Sequence, residues 1–308
     1  MSKATSIMAK NISSVGEFGF IDLIRKRMST SGSVLKGIGD DAAVVSLSPG
    51  KKMLLTTDML LEGAHFTLTM PPSGIGHKAM AVNISDIAAM GGVPKYALVS
   101  LGAPPNLPLD YLLKIYQAMD KTAQQYGVSI VGGDTIKSSK LIINVAMVGE
   151  ADEEKIVYRS GAKVGDRIFV TGRLGSSLKS GRHLTFVPRL KESQYLVKHF
   201  KPTAMIDISD GLVGDLGHIL KESRVGAVLS EDAIPRYPDA SLKNALYDGE
   251  DFELIFTVPF KQAEKLKRIK MPFRFYEIGE ITDQERQCSI VGKDGVRQKI
   301  TVKGYTHF

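Results

Sequence analysis

The sequence predicts a two-domain protein of mixed α/β and α+β class. Three observations carry that reading. The chain has 308 residues, enough for two ordinary cores. Apolar strand-like runs and amphipathic helical stretches alternate through both halves. A polar, charged passage from Glu150 to Lys155 breaks the pattern near the middle. Passages of that kind mark boundaries, so residues 1–150 are expected to form one domain and 151–308 a second.

Taken in order, Gly16 to Arg27 has the spacing of a short amphipathic helix. Met53 to Thr57 reads as a buried strand ending at Asp58. Gly76 to Met90 reads as a helix packed through its alanines and ended by Gly91-Gly92. Lys95 to Leu101 is a strand, Leu109 to Tyr126 a helix, and Val128 to Val131 a strand running into Gly132-Gly133-Asp134. Leu141 to Val148 completes the first half as a strand. In the second half, Arg167 to Thr171 is a strand that opens into a glycine- and serine-rich turn. Ala204 to Ile208 is a strand delivering Asp207 and Asp210, Leu212 to Glu222 a helix, and Phe252 to Val258 a strand directly after Asp251. Lys261 to Lys270 reads as a helix with Ala263, Leu266 and Ile269 on one face. Cys288 to Val302 is a hairpin turned at Lys293-Asp294-Gly295.

A hydrophobic content of 43% and a charged content of 24% belong to a soluble globular chain. No run approaches the roughly 18 apolar residues of a membrane span, so no membrane partner is expected. Met1 to Ser14 lacks a continuous apolar stretch and reads as a tail, not a signal peptide. Cys288 is the single cysteine, which excludes an internal disulfide and a cysteine-based metal site. The expected location is the cytoplasm. The net charge of +7 is spread along the chain, without a zinc finger or RNA-recognition signature, so nucleic acid is not an expected partner.

The chemistry is concentrated in aspartates beside small or hydroxyl-bearing neighbours. Gly37-Ile38-Gly39-Asp40-Asp41 comes first. Thr56-Thr57-Asp58, Asn83-Ile84-Ser85-Asp86, Gly132-Gly133-Asp134, Asp207-Ile208-Ser209-Asp210 and Gly249-Glu250-Asp251 repeat the theme. Adjacent carboxylates repel unless water or a cation separates them. Hard oxygen ligands select ions such as Mg²⁺, which takes few carboxylates and fills its other positions with water and phosphate oxygens. There is no G-x-x-x-x-G-K-[ST] phosphate loop and no protein-kinase motif set. Several ions clamped on a polyphosphate would then carry the charge neutralisation that a phosphate-loop lysine supplies elsewhere.

GIGDDAAV, TTDMLLEGAHF, AVNISDIAAMGGVPKYALVSLG, VGGDT, YRSGAKVGD, DISDGL and GEDFEL follow one another along the chain. In that order they resemble the thiamine-monophosphate kinase family, of the superfamily that includes aminoimidazole ribonucleotide synthetase. The resemblance covers nearly the whole chain. It implies an N-terminal α/β domain that binds nucleotide and Mg²⁺ and dimerises through its sheet, a C-terminal α+β domain, and a site in the cleft between them. It implies a cytoplasmic homodimer that uses ATP and several Mg²⁺ ions to phosphorylate thiamine monophosphate. Asp41, Thr57, Asp58, Asp86, Asp134, Asp207 and Asp210 would ligate Mg²⁺. Tyr116, Gly133, Asp134, Arg159 and Ser209 would contact ATP, and His65, Asp251 and Tyr305 the thiamine phosphate. No general base is implied.

Other residues read more plainly. Asp40 is either a second ligand or a cap for the segment that follows. His77, His183, His199 and His218 read as structural, and Asp215 as solvent-facing. The segment between Ser177 and Lys201 is shorter than in many relatives. Two rival readings stand beside the kinase. A selenophosphate or hydrogenase-maturation enzyme of the superfamily would need an N-terminal or C-terminal cysteine, which this chain lacks, and aminoimidazole ribonucleotide synthesis would lack TTDMLLEGAHF. A non-catalytic nucleotide-binding module is the other, and ATP turnover separates it from the kinase.

Overall fold

The computed structural model describes residues 23, 26–29, 32–36, 44–45, 48–270 and 272–304. Asp40, Asp41 and Tyr305 lie outside the described residues, as does most of the helix expected at 16–27. The chain divides into two compact units. Met1–Asn83 with Pro94–Glu150 makes the first, and Ile84–Val93 with Ala151–Phe308 the second. A short antiparallel pair, β1 (Val34–Lys36) and β2 (Val44–Val45), precedes the main elements.

The first unit is built on four strands: β3 (Lys52–Leu61), β4 (Val93–Ala103), β5 (Ser129–Lys137) and β6 (Ile142–Ala151). Their order in the sheet is β3-β6-β4-β5, with β4 and β5 parallel. Helices α1 (Pro72–Ala89) and α2 (Leu109–Gln125) supply its core residues Ile75, Met80, Leu112, Ile115 and Met119. Two helix glycines matter here. A Cβ at Gly76 would lie 2.2 Å from the Ile115 carbonyl oxygen, so α1 and α2 approach closely only because that position is bare. Gly91 ends α1 with φ +75°, a left-handed conformation that glycine adopts without steric cost.

Strand β3 runs on past Thr57 to Leu61, and β5 runs through Gly132-Gly133-Asp134. Aspartate is a poor strand former and glycine a weak one, which ends both runs in a reading of propensity alone. Pairing with neighbouring strands overrides that preference. Asp58 and Asp134 are therefore strand residues rather than residues at strand ends.

The second unit is a seven-stranded sheet in the order β13-β12-β9-β11-β7-β10-β8. Its strands are β7 (Arg167–Val170), β8 (Ala204–Asp207), β9 (Gly226–Ser230), β10 (Leu254–Val258), β11 (Tyr276–Thr282), β12 (Cys288–Val291) and β13 (Arg297–Ile300). All pairs are antiparallel except β9 with β12. Helices α3 (Ser177–Ser180), α4 (Leu190–His199), α5 (Leu212–Ser223), α6 (Leu242–Tyr247) and α7 (Phe260–Arg268) complete it. Leu212, Val213, Leu216, Ile219 and Leu220 of α5 pack into one apolar cluster with β7, β8 and β10. Phe169, Phe256, Phe200, Leu196 and Leu266 form a second. Ala263 and Leu266 face inward as their spacing predicts, but Ile269 is 38% exposed. The helix has already ended at Arg268, and Ile269 is extended, so it leaves the helical face.

Candidate active site

In the second unit three loops meet at one end of the sheet. They follow β7 (171–176), follow β8 (208–211) and precede β10 (248–253). Antiparallel pairing places Asp207 opposite Leu254, and main-chain bonds continue past the strands. Ile208 N donates to Glu253 O at 2.7 Å, Phe252 N to Ile208 O at 2.8 Å, and Glu250 N to Ser209 O at 2.8 Å. Gly249 is needed at this crossing, since a Cβ there would lie 2.4 Å from the Ser209 carbonyl oxygen. The motifs DISDG and GED, separated by 38 residues or more in sequence, are thus one paired structure.

Carboxylates gather at this loop end. Asp207 is buried and accepts the Ser85 hydroxyl at 2.7 Å, which brings the α1 segment carrying Asp86 to the same loop. The Gly304 backbone packs against Asp210 and Gly214, so the last described residues of the tail also reach it. Asp215 is 2% exposed and accepts the Asp210 amide at 2.9 Å, which overturns the expectation that it faces solvent. Its position explains the error. Residue 215 lies three after Leu212 and four before Ile219, on the apolar stripe of α5. Read at that spacing, the sequence places a carboxylate inside, where its use is to hold the turn that presents Ser209 and Asp210. Burial, with the neighbouring Asp210 charge adding to it, pushes the Asp215 carboxyl up to about 7. Carboxylates of Asp210 and Asp215 and a ring nitrogen of His218 lie within 4.8 Å of one another. His218 was read as structural; it is exposed and stands beside this acidic group. Arg159, also exposed, adds a positive charge that bears on Asp215 and His218.

In the first unit the candidate residues are spread over the sheet and its turns. Alternation along β3 puts Asp58 on the half-buried face with Thr56 and Leu60. Thr57 points to the opposite face, where its hydroxyl donates to Asn144 Oδ1 at 3.1 Å. Asp134 is exposed on β5, paired with Ser100 of β4. Gly133 next to it must be glycine, since a Cβ would lie 1.8 Å from the Val99 carbonyl oxygen. Strands β3 and β5 are the two edges of the sheet, with two strands between them. That separates Asp58 from Asp134 by roughly 14 Å or more, so one copy of the chain does not bring both to a single ion.

His65 sits in the turn after β3. The Leu61 amide donates to its Nδ1 at 3.0 Å, which leaves the proton of the neutral ring on Nε2. Buried Lys78 donates to the His65 carbonyl oxygen at 3.3 Å and fixes the turn from below. Tyr116, expected to contact ATP, is 4% exposed in α2, and burial holds its hydroxyl well above the usual tyrosine range.

Asp251 is 8% exposed and accepts the Gly175 amide at 2.7 Å. Burial first, and the Glu253 charge beside it, push its carboxyl up to about 7. The folded state therefore keeps a proton that the unfolded chain loses near 3.8. Stability from this group is full below the unfolded value and is lost as the pH rises through about 7. Asp251→Asn keeps an oxygen for the Gly175 amide and removes the charge. It is expected to stabilise the ligand-free protein by on the order of 2 kcal/mol at about pH 8 and to change little near pH 4. Thermal melts at both pH values check this; a variant less stable than the parent at the higher pH contradicts it.

Known proteins match both halves of the chain. Residues 39–151 match the AIR synthase related protein, N-terminal domain, and residues 163–292 match the AIR synthase related protein, C-terminal domain. A thiamine-monophosphate kinase of Aquifex aeolicus is 36% identical, with 96% of this chain and 98% of the relative covered. That of Escherichia coli K12 is 34% identical, with 95% and 98% covered. Among solved structures, thiamine-monophosphate kinase from Stenotrophomonas maltophilia K279a superposes with a TM-score of 0.78 at 30% identity, covering 91% of this chain and 97% of that one. AaThiL complexed with AMPPCP and TMP gives 0.74 at 34% identity, covering 98% and 100%. Hydrogenase maturation protein HypE, at 21% identity and a TM-score of 0.77, shares the fold.

Proposed function

The chain belongs to the thiamine-monophosphate kinase family of AIR synthase related proteins, and from that premise we propose how its residues divide the work. The reaction is transfer of the γ-phosphoryl group of ATP to thiamine monophosphate, giving thiamine diphosphate and ADP. The observation that carries this reading is the meeting of the DISDG and GED loops, with Asp207, Asp210 and Asp251 presented at one end of one sheet.

Mg²⁺ fits the donors present. Asp86, Asp207 and Asp210 offer hard oxygen atoms, and crowding of carboxylates at the loop end calls for a cation. Asp86, Asp207 and Asp210 would hold ions here, and Asp58, Asp134 and Thr57 on the first unit, with Asp41 added from outside the described residues. When bound, Mg²⁺ supplies charge neutralisation on the polyphosphate. The remaining work falls to the chain itself. Ser209 and Gly133 present backbone beside the carboxylates, and Arg159 offers a guanidinium fork suited to phosphate oxygens. His65 Nε2–H donates to the acceptor phosphate, and Asp251 sets its carboxylate against the cationic thiamine moiety. A phosphate oxygen of the acceptor is already ionised near neutral pH, so positioning and electrostatics suffice and no base is required. Mass spectrometry of the products formed from ATP, thiamine monophosphate and Mg²⁺ tests the assignment; ATP consumed without thiamine diphosphate would refute it.

The protein acts as a homodimer in this reading. One face of the first sheet exposes Met53, Leu55 and Met59 of β3, Leu98 of β4 and Ile136 of β5, with Leu55 72% exposed. Apolar surface of that extent calls for cover, and a second copy with the same face supplies it. Light scattering that reports a monomer of 33.5 kDa would overturn the dimer.

A further inference from the structure

Three consecutive residues, Asp251, Phe252 and Glu253, grip one segment of chain at three points. Asp251 accepts the Gly175 amide at 2.7 Å. The Phe252 ring stacks on Phe186 with centroids 4.1 Å apart and planes 17° from parallel. Glu253 takes a two-pronged pair from Arg189, whose Nε donates at 2.7 Å and whose Nη2 donates at 2.5 Å. The contacts run in order, so 251–253 closes along 175–189 like a clasp.

The geometry of the gripping residues is forced. Glu250 and Phe252 hold φ at +67° and +50°, left-handed values that residues with a Cβ rarely adopt, and Ser176 on the facing segment of the clasp holds +61°. Such conformations persist where the surroundings over-determine them, and they gather at functional sites. Glu253 is itself fixed. Its side chain is 4% exposed, it accepts the Thr171 hydroxyl at 2.6 Å, and a Cβ at Gly172 would lie 2.4 Å from its carboxylate. A buried carboxylate so enclosed needs a charged partner, and Arg189 is that partner.

We propose that residues 175–189 form the acceptor-side wall of the active site, and that Arg189 is a positioning residue for thiamine monophosphate, holding this wall against the loop that carries Asp251. The inference rests on the reading of the protein as a thiamine-monophosphate kinase and of Asp251 as an acceptor contact. Arg189 reaches no reacting atom. It acts through Glu253, which shares the strained 250–253 turn with Asp251. Lysine cannot replace it fully, because an ammonium does not reproduce the two parallel bonds of a guanidinium.

Steady-state kinetics of the full-length protein separate positioning from general stability. Arg189→Gln is expected to raise KM for thiamine monophosphate about tenfold while leaving KM for ATP within about twofold. Arg189→Lys should fall between the two, and Phe186→Leu should shift the acceptor KM in the same direction by less. Amide hydrogen exchange across 175–189 should slow when the parent protein binds thiamine monophosphate and not when it binds a non-hydrolysable ATP analogue, a difference that Arg189→Gln abolishes. Should Arg189→Gln fail to fold, the same KM split in Phe186→Leu decides. A folded variant with an unchanged acceptor KM, or with both KM values raised alike, overturns the wall. Failure of the parent protein to phosphorylate thiamine monophosphate at all would instead overturn the reading beneath it.

Discussion

Replacing Asp58 or Asp134 by Asn is expected to lower turnover by about three orders of magnitude while the fold survives. Asparagine is nearly isosteric with aspartate, so each strand keeps its side-chain volume. Asp134 accepts a local bond from the Thr135 amide, which an asparagine oxygen also accepts. What each change removes is a negative charge on a hard ligand. The chain has no phosphate-loop lysine to make good the loss. With side-chain volume and an accepting oxygen both kept, the melting temperature of the ligand-free protein should hold steady. Turnover of ATP with thiamine monophosphate, followed alongside thermal melts, provides the check. An active Asp58→Asn protein, or full parental activity in excess chelator, would show that these carboxylates are not metal ligands.

How much of this was legible in the sequence depends on the distance over which a residue finds its partner. Alternating elements, the helix stop at Gly91 and the final hairpin are local, and they read correctly from spacing and turn chemistry. Asp58 and Asp134 were visible as aspartates of interest, but not as strand residues on opposite edges of one sheet. Strand order is set by pairing that no local pattern encodes. Thr57 and Asp58 are neighbours in sequence, yet the two-residue period of a strand sends their side chains to opposite faces. Asp215 was misread because an acid was assumed to seek water, although its spacing from Leu212 and Ile219 puts it on the buried stripe of α5. Arg189 and Glu253 lie 64 residues apart and meet only through the packing of 175–189 on the β10 loop. No pattern within either segment announces the pair.

Thiamine monophosphate is expected to be phosphorylated at least about a hundredfold faster than free thiamine at equal concentration. The acceptor phosphate is anionic near neutral pH and attacks without losing a proton. Free thiamine brings a neutral hydroxyl instead, which needs a base. Among the residues assigned to the acceptor, His65 is the natural candidate, and its geometry speaks against that role. Its Nδ1 already accepts the Leu61 amide, so the neutral ring carries its proton on Nε2, which makes that nitrogen a donor. Asp251 is committed to the Gly175 amide and to the strained turn around it. Losing the acceptor phosphate also forfeits its charge-assisted hydrogen bonds, each worth roughly 1.5–3 kcal/mol. Two such bonds lost already account for more than about a hundredfold in rate. Parallel assays with thiamine and thiamine monophosphate decide the matter. Comparable rates would mean that the nucleophile is a hydroxyl, and that a base stands where the structure presents a donor.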